Sequence, residues 1–79
     1  MIQELLLHDD EQVRTIGILL AEVEESLKTQ QITEQDYVDI MADVERLKTI
    51  IALKKNLELN QMIHDAVVGI IELAKMVKL

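Results

Sequence analysis

Cysteine, proline, tryptophan and phenylalanine are all missing from this 79-residue chain, which has two glycines and a single aromatic residue, Tyr37. Each absence removes a class of structure. Without cysteine there are no disulfides and no thiolate metal sites. With only two histidines besides, a structural zinc site is disfavoured and no metal or cofactor is expected. Without proline, and with little glycine, the chain lacks the residues that make tight turns. With one aromatic it also lacks those that favour strands. No glycine-rich phosphate loop and no HExxH pair occur.

What remains is mostly a list of helix formers: Leu, Ile, Glu, Lys, Gln, Ala and Met. Hydrophobic residues make up 49% of the chain and charged residues 29%. That is too apolar for disorder and too interrupted by charge for a membrane span. A chain this short buries a modest core, so oligomerisation or partner binding is the expected supplement. The first residues carry no basic leader followed by an apolar run, which makes the cytoplasm the expected compartment.

The net charge of −7 is unevenly placed. Residues 1–40 hold ten acids and two bases, residues 41–79 five acids and six bases. Such a distribution disfavours nucleic acid, whose phosphates need Lys and Arg. It suits a solvated acidic face, or a partner with a basic surface docking on Glu22, Glu24 and Glu25.

Two apolar ladders repeat at alternating spacings of 3 and 4, the mark of a helical seam. The first is Val13, Ile16, Leu20, Val23 and Leu27; the second is Tyr37, Ile40, Val44, Leu47 and Ile51. Asp9 or Asp10 can cap the first, with Gln12 placed for a capping box from Asp9. Ile2 and Leu6 extend its frame upstream, interrupted at Asp9. Either a short helix precedes a break at 8–10, or one helix runs through over about 3–29. A turn follows at 29–33. Thr33 then reads as a cap for a helix starting at Glu34, with Ile32 and Tyr37 as a hydrophobic staple.

The second ladder breaks at Lys54 and Glu58, and a shifted frame follows: Leu59, Ile63, Ala66, Ile70, Leu73 and Val77. With no proline or glycine between, the spacing predicts one long helix over about 34–78 carrying a phase slip or kink at 54–60. Asn56 and Asn60 are the places where it could instead break. The charge pairs Glu24–Lys28, Asp43–Arg46, Glu45–Lys48 and Glu72–Lys75 support helix.

Folding the ladders antiparallel about Gln31 sets Leu27 against Tyr37, Leu20 against Val44 and Val13 against Ile51. The next level sets Asp9 and Asp10 against Lys54 and Lys55. Both seams turn polar at one height with opposite charge, which predicts an antiparallel helical hairpin. Beyond it, Leu5 and Leu6 approach Leu57 or Leu59, and Ile2 approaches Met62.

The first helix of such a hairpin ends near Met62. Past it, every residue but His64, Asp65, Glu72, Lys75 and Lys78 is apolar or glycine. A helix with so narrow a polar stripe is buried on most sides. The fold class expected is therefore all-α: a hairpin with a long C-terminal helix, associating into a dimeric or higher helical bundle. Its interface would comprise Ile63, Ala66, Val67, Ile70, Ile71, Leu73 and Val77. The narrow mixed stripe around Lys75 and Lys78 disfavours an interfacial membrane helix, which shows a broad basic face.

The remaining polar clusters read as solvated surface. Glu4, His8, Asp9 and Asp10 make one local group with no second ligand set. Asp36, Asp39 and Asp43 form an acidic stripe, but paired carboxylates need a concave site to do acid–base chemistry. Met41, Met62 and Met76 read as core or interface fillers. Gly17 and Gly69 flank a seam, as glycines do where helices approach closely.

The segment Ile32-Thr33-Glu34-Gln35-Asp36-Tyr37, leading into a helix with Asp43 and Leu47, resembles segments of small acidic helical proteins of tailed phages. The resemblance covers about half the chain and implies a virion-assembly, prohead-core or host-modulating role. Its setting would be the infected cell or the virion. The function expected is non-enzymatic assembly through helices, with a small acidic adaptor or inhibitor as the alternative.

Overall fold

Three polar side chains start three long helices. In the computed structural model, which describes residues 2–78, Asp10 accepts from the amides of Gln12 (2.8 Å) and Val13 (3.2 Å) and opens α2, Glu11–Lys28. Thr33 accepts from the Asp36 amide at 3.0 Å and opens α3, Glu34–Ala52. Asn56 accepts from the Leu59 amide at 3.0 Å and opens α4, Leu57–Met76. Each satisfies an amide that the first helical turn leaves without a partner. A five-residue helix, α1 (Ile2–Leu6), precedes them. No strand occurs among the described residues.

The chain breaks at 7–10, as the first of the two alternatives for that region has it. Asp10 is the cap there, so a box from Asp9 to Gln12 is not used. The Arg14 guanidinium ties the turn by donating to the carbonyls of His8 and Asp9, both at 2.8 Å.

Of the two alternatives for 34–78, one long helix or a break at Asn56, the fold takes the break. Helix stops at Ala52 and restarts at Leu57. Lys55 takes a left-handed backbone conformation, φ 56°, and Asn56 caps the next helix. The phase slip between Ile51 and Leu59 is thus a reversal of chain direction. A continuous helix over residues 34–76 would be about 64 Å long, whereas the whole molecule measures 34 × 20 × 18 Å.

The result is an up–down–up bundle of α2, α3 and α4 with α1 laid against its side. The start of α2 meets the end of α3 through Asp10 and Lys54. The start of α3 meets the end of α4, where Tyr37 and Val38 share a groove with Ile71 and Ala74. α2 packs on all three other helices, while among the three long helices α3 and α4 touch least. The first ladder lies wholly inside: Val13, Ile16, Leu20, Val23 and Leu27 are buried. Of the second, Val44 and Ile51 are buried, while Tyr37, Ile40 and Leu47 pack partly against the same cluster.

α4 completes this core from the far side. Ile63, Ala66, Val67 and Ile70, expected at an interface between copies, are buried in the single chain. Leu73 and Val77 are partly buried against them. The correction has one physical cause: the reversal at 53–56 brings α4 back over α2, so the chain covers most of its own apolar face. Each fully buried Leu, Ile or Val contributes about 1.5–3 kcal/mol.

α1 sits where glycine permits it. A β-carbon at Gly17 would lie 3.0 Å from the Leu6 backbone nitrogen and 3.1 Å from the Leu5 Cβ. This close approach lets Leu5 reach the core, where it is fully buried. Ile2 lines a shallow groove with Ala66 and Gly69, about one turn beyond the Met62 expected from the register.

Candidate association surface

Exposed aliphatic residues lie on both α3 and α4, the two long helices that touch each other least. Val38 is 52% exposed, Val68 39% and Ile71 37%. Val38 and Ile71 face each other across a shallow groove of about 250 Å³, with Tyr37 and Ala74 in its lining and Glu34 and Lys75 at its rim. Of the seven residues expected to pair copies, Ile71 alone counts as exposed. Partial burial pushes the Tyr37 phenol above its ordinary 10.0, which keeps it neutral there.

A second set of exposed aliphatics, Leu7, Leu53 and Leu57, lies in or beside the two loops at the opposite end. There Lys54 donates to Asp10, and this contact holds the Asp10 carboxyl below its ordinary 3.8 against the opposing effect of burial, with smaller help from the Val13 and Gln12 amides.

The remaining candidates are scattered. Glu22 and Glu25 are exposed on α2, but Glu24 is half-buried, 3.9 Å from Lys28, in a shallow groove with Ile2 and Gly69. Ile18, 50% exposed, precedes Glu22 and Glu25 by four and seven residues and so shares their face. Asp36, Asp39 and Asp43 are exposed; Asp39 accepts from Gln35 at 2.8 Å, and Asp43 lies 3.3 Å from Arg46. His8 uses its Nδ1 to accept from the Asp10 amide at 3.0 Å. Glu45 pairs with Lys48 at 3.7 Å, whereas Glu72 and Lys75 form no ion pair among the described residues. Among those residues no three His, Asp or Glu side chains gather as metal ligands would.

Met41 and Met62 pack partly against the core, and Met76 is exposed. Close helix approach explains Gly17 but not Gly69, around which a β-carbon would find nothing within 4 Å.

The ladder analysis missed Val38 and Val68 because both lie off the dominant seams. The available signal was a second row on α3, Glu34, Val38, Met41 and Glu45, spaced 4, 3 and 4. No helix among the described residues is long and apolar enough to cross a membrane. No family model, no curated protein and no solved structure matches the chain.

Proposed function

We propose that this chain is a non-enzymatic helical association module, an assembly factor that docks through the open side of α3 and α4. The observation that carries this reading is the open groove between Val38 and Ile71, both exposed, with exposed Val68 one turn from Ile71 on α4. Contiguous apolar surface of this kind, rimmed by charge, is characteristic of helix-in-groove docking. The groove holds no cluster of carboxylates or histidines that would direct it to chemistry. The phage setting rests on the capped segment Ile32–Tyr37 alone.

The test is a pair of substitutions on that surface. Val38→Asp with Ile71→Asp should abolish association while leaving the helix content by circular dichroism intact, since neither side chain belongs to the buried core. Association that survives both changes overturns the reading.

A second reading, the acidic adaptor, draws on the α2 face where Ile18 lies in line with Glu22 and Glu25. It predicts a partner whose capture weakens with salt and is lost when Glu22, Glu24 and Glu25 become Gln. Salt-insensitive capture would remove it.

A further inference from the structure

The open side of α3 and α4 carries two rows that complement each other at five of six levels, Lys48 standing level with Gln61 at the sixth. On α3 the row is Glu34, Val38, Met41, Glu45, Lys48 and Ala52, at spacings of 4, 3, 4, 3 and 4. On α4, read backwards from its end, Lys75, Ile71, Val68, His64, Gln61 and Leu57 follow at the same spacings. Because the two helices run antiparallel, each member of one row stands level with a member of the other. Glu34 is level with Lys75, Val38 with Ile71, Met41 with Val68, Glu45 with His64, and Ala52 with Leu57. Acid meets base or histidine, and apolar meets apolar.

Within one chain these rows are not zipped together. At the Glu34–Lys75 end they are the two banks of the open groove, and that acid and base lie beyond ion-pair distance of each other. Leu57, at 84% exposed, is left unused.

Resting on the association reading above, we infer that the occupant of this face is a second copy of the chain, joined about a two-fold axis parallel to the bundle. That operation lays α3 of each copy antiparallel across α4 of the other. It sets Glu34 beside the other copy's lysine, Val38 on its isoleucine and Ala52 on its exposed leucine. The four helices so gathered form a second bundle around a new apolar centre. A two-fold axis across the bundle would instead stack α3 antiparallel on α3 and set Val38 against the other copy's Lys48, apolar against charge.

Charge permits this face to meet its own copy. The chain carries −7, yet the two rows hold two acids, Glu34 and Glu45, and two bases, Lys48 and Lys75. The face is neutral in an acidic protein. The opposite flank of α3, with Asp36, Asp39 and Asp43, would repel a copy.

The test is charge exchange measured by sedimentation equilibrium across a concentration series. Glu34→Lys alone and Lys75→Glu alone should each raise the dimer dissociation constant about tenfold, because two pairs are lost per dimer. Both changes together should return it to near the wild-type value. A disulfide experiment gives a second route in this cysteine-free chain. Chains bearing Val38→Cys, mixed with chains bearing Ile71→Cys, should oxidise chiefly to the mixed 38–71 dimer. A dimer that ignores the charge exchange and cross-links 38 to 38 overturns the proposed pairing, while Val38→Asp with Ile71→Asp still decides the association reading. A chain that stays monomeric at every concentration overturns the second copy as occupant and leaves the association reading to be decided with another protein.

Discussion

Asp10 and Lys54, 44 residues apart, meet side chain to side chain where α2 begins and α3 has just ended. The same carboxylate also caps α2 through the Gln12 and Val13 amides. One residue thus starts a helix and fixes the register of that helix against its neighbour.

The two roles separate by substitution. Asp10→Asn keeps a capping oxygen and loses the ion pair, as Lys54→Met does, so both should lower Tm slightly and equally. Asp10→Ala loses the cap as well and should lower Tm more. Equal melts for Asp10→Ala and Asp10→Asn would show that the cap contributes nothing.

The pH dependence follows from the direction of the Asp10 shift. Its pKa in the folded chain lies below the ordinary 3.8 of the unfolded chain. The unfolded state therefore binds the proton more readily, and stability from this group is present above pH 3.8 and lost as pH falls through the lowered folded value. The stability gap between wild type and Asp10→Asn should close in that acid window and stay constant above it. A gap that widens on acidification would contradict the shift.

The two glycines should respond in opposite directions. Gly69→Ala adds a methyl into open space and removes a helix-destabilising residue, so it should stabilise by about 1 kcal/mol. Gly17→Ala meets backbone of α1 at 3.0 and 3.2 Å. It should displace α1, expose Leu5 and speed amide exchange over residues 2–6. An equal gain in Tm at both sites would mean α1 does not sit on Gly17.

Left-handed residues offer a further check. Gln30 and Lys55 both have φ 56°, and Gln30 closes α2 with its amide on Leu27 (3.2 Å) and the Gln31 amide on Ser26 (2.9 Å). A non-glycine residue in this conformation costs about 1–2 kcal/mol. Glycine also loosens the unfolded chain, so Gln30→Gly and Lys55→Gly should each stabilise by about 0.5–1 kcal/mol in denaturant melts. Destabilisation at either would place that residue outside the left-handed region.

The same two residues explain which parts of the fold were legible. The Thr33 cap and the meeting of Asp10 with Lys54 follow from local chemistry and from two ladders of equal period. The break at Asn56 was legible only as an alternative because Lys55, not glycine, takes the left-handed position. Asn56 also lacks a Glu or Gln three residues on, where Leu59 stands, so no capping box marks the start of α4. An eight-residue interval between Ile51 and Leu59 fits a phase slip as well as a turn. The groove at Val38 and Ile71 was hidden for a related reason: periodicity picks out the strongest seam, and the open face lies on a weaker one beside it.

The claim on which the placement of the open face depends is that α4 folds back along its own chain. Spin labels on Gln35→Cys and Glu72→Cys, both exposed positions, test it by pulsed dipolar spectroscopy, with labelled chains diluted in unlabelled protein. A folded-back α4 places the labels within about 20 Å, the width of the bundle. A distance near 56 Å, the length of an unbroken helix between those positions, would contradict it.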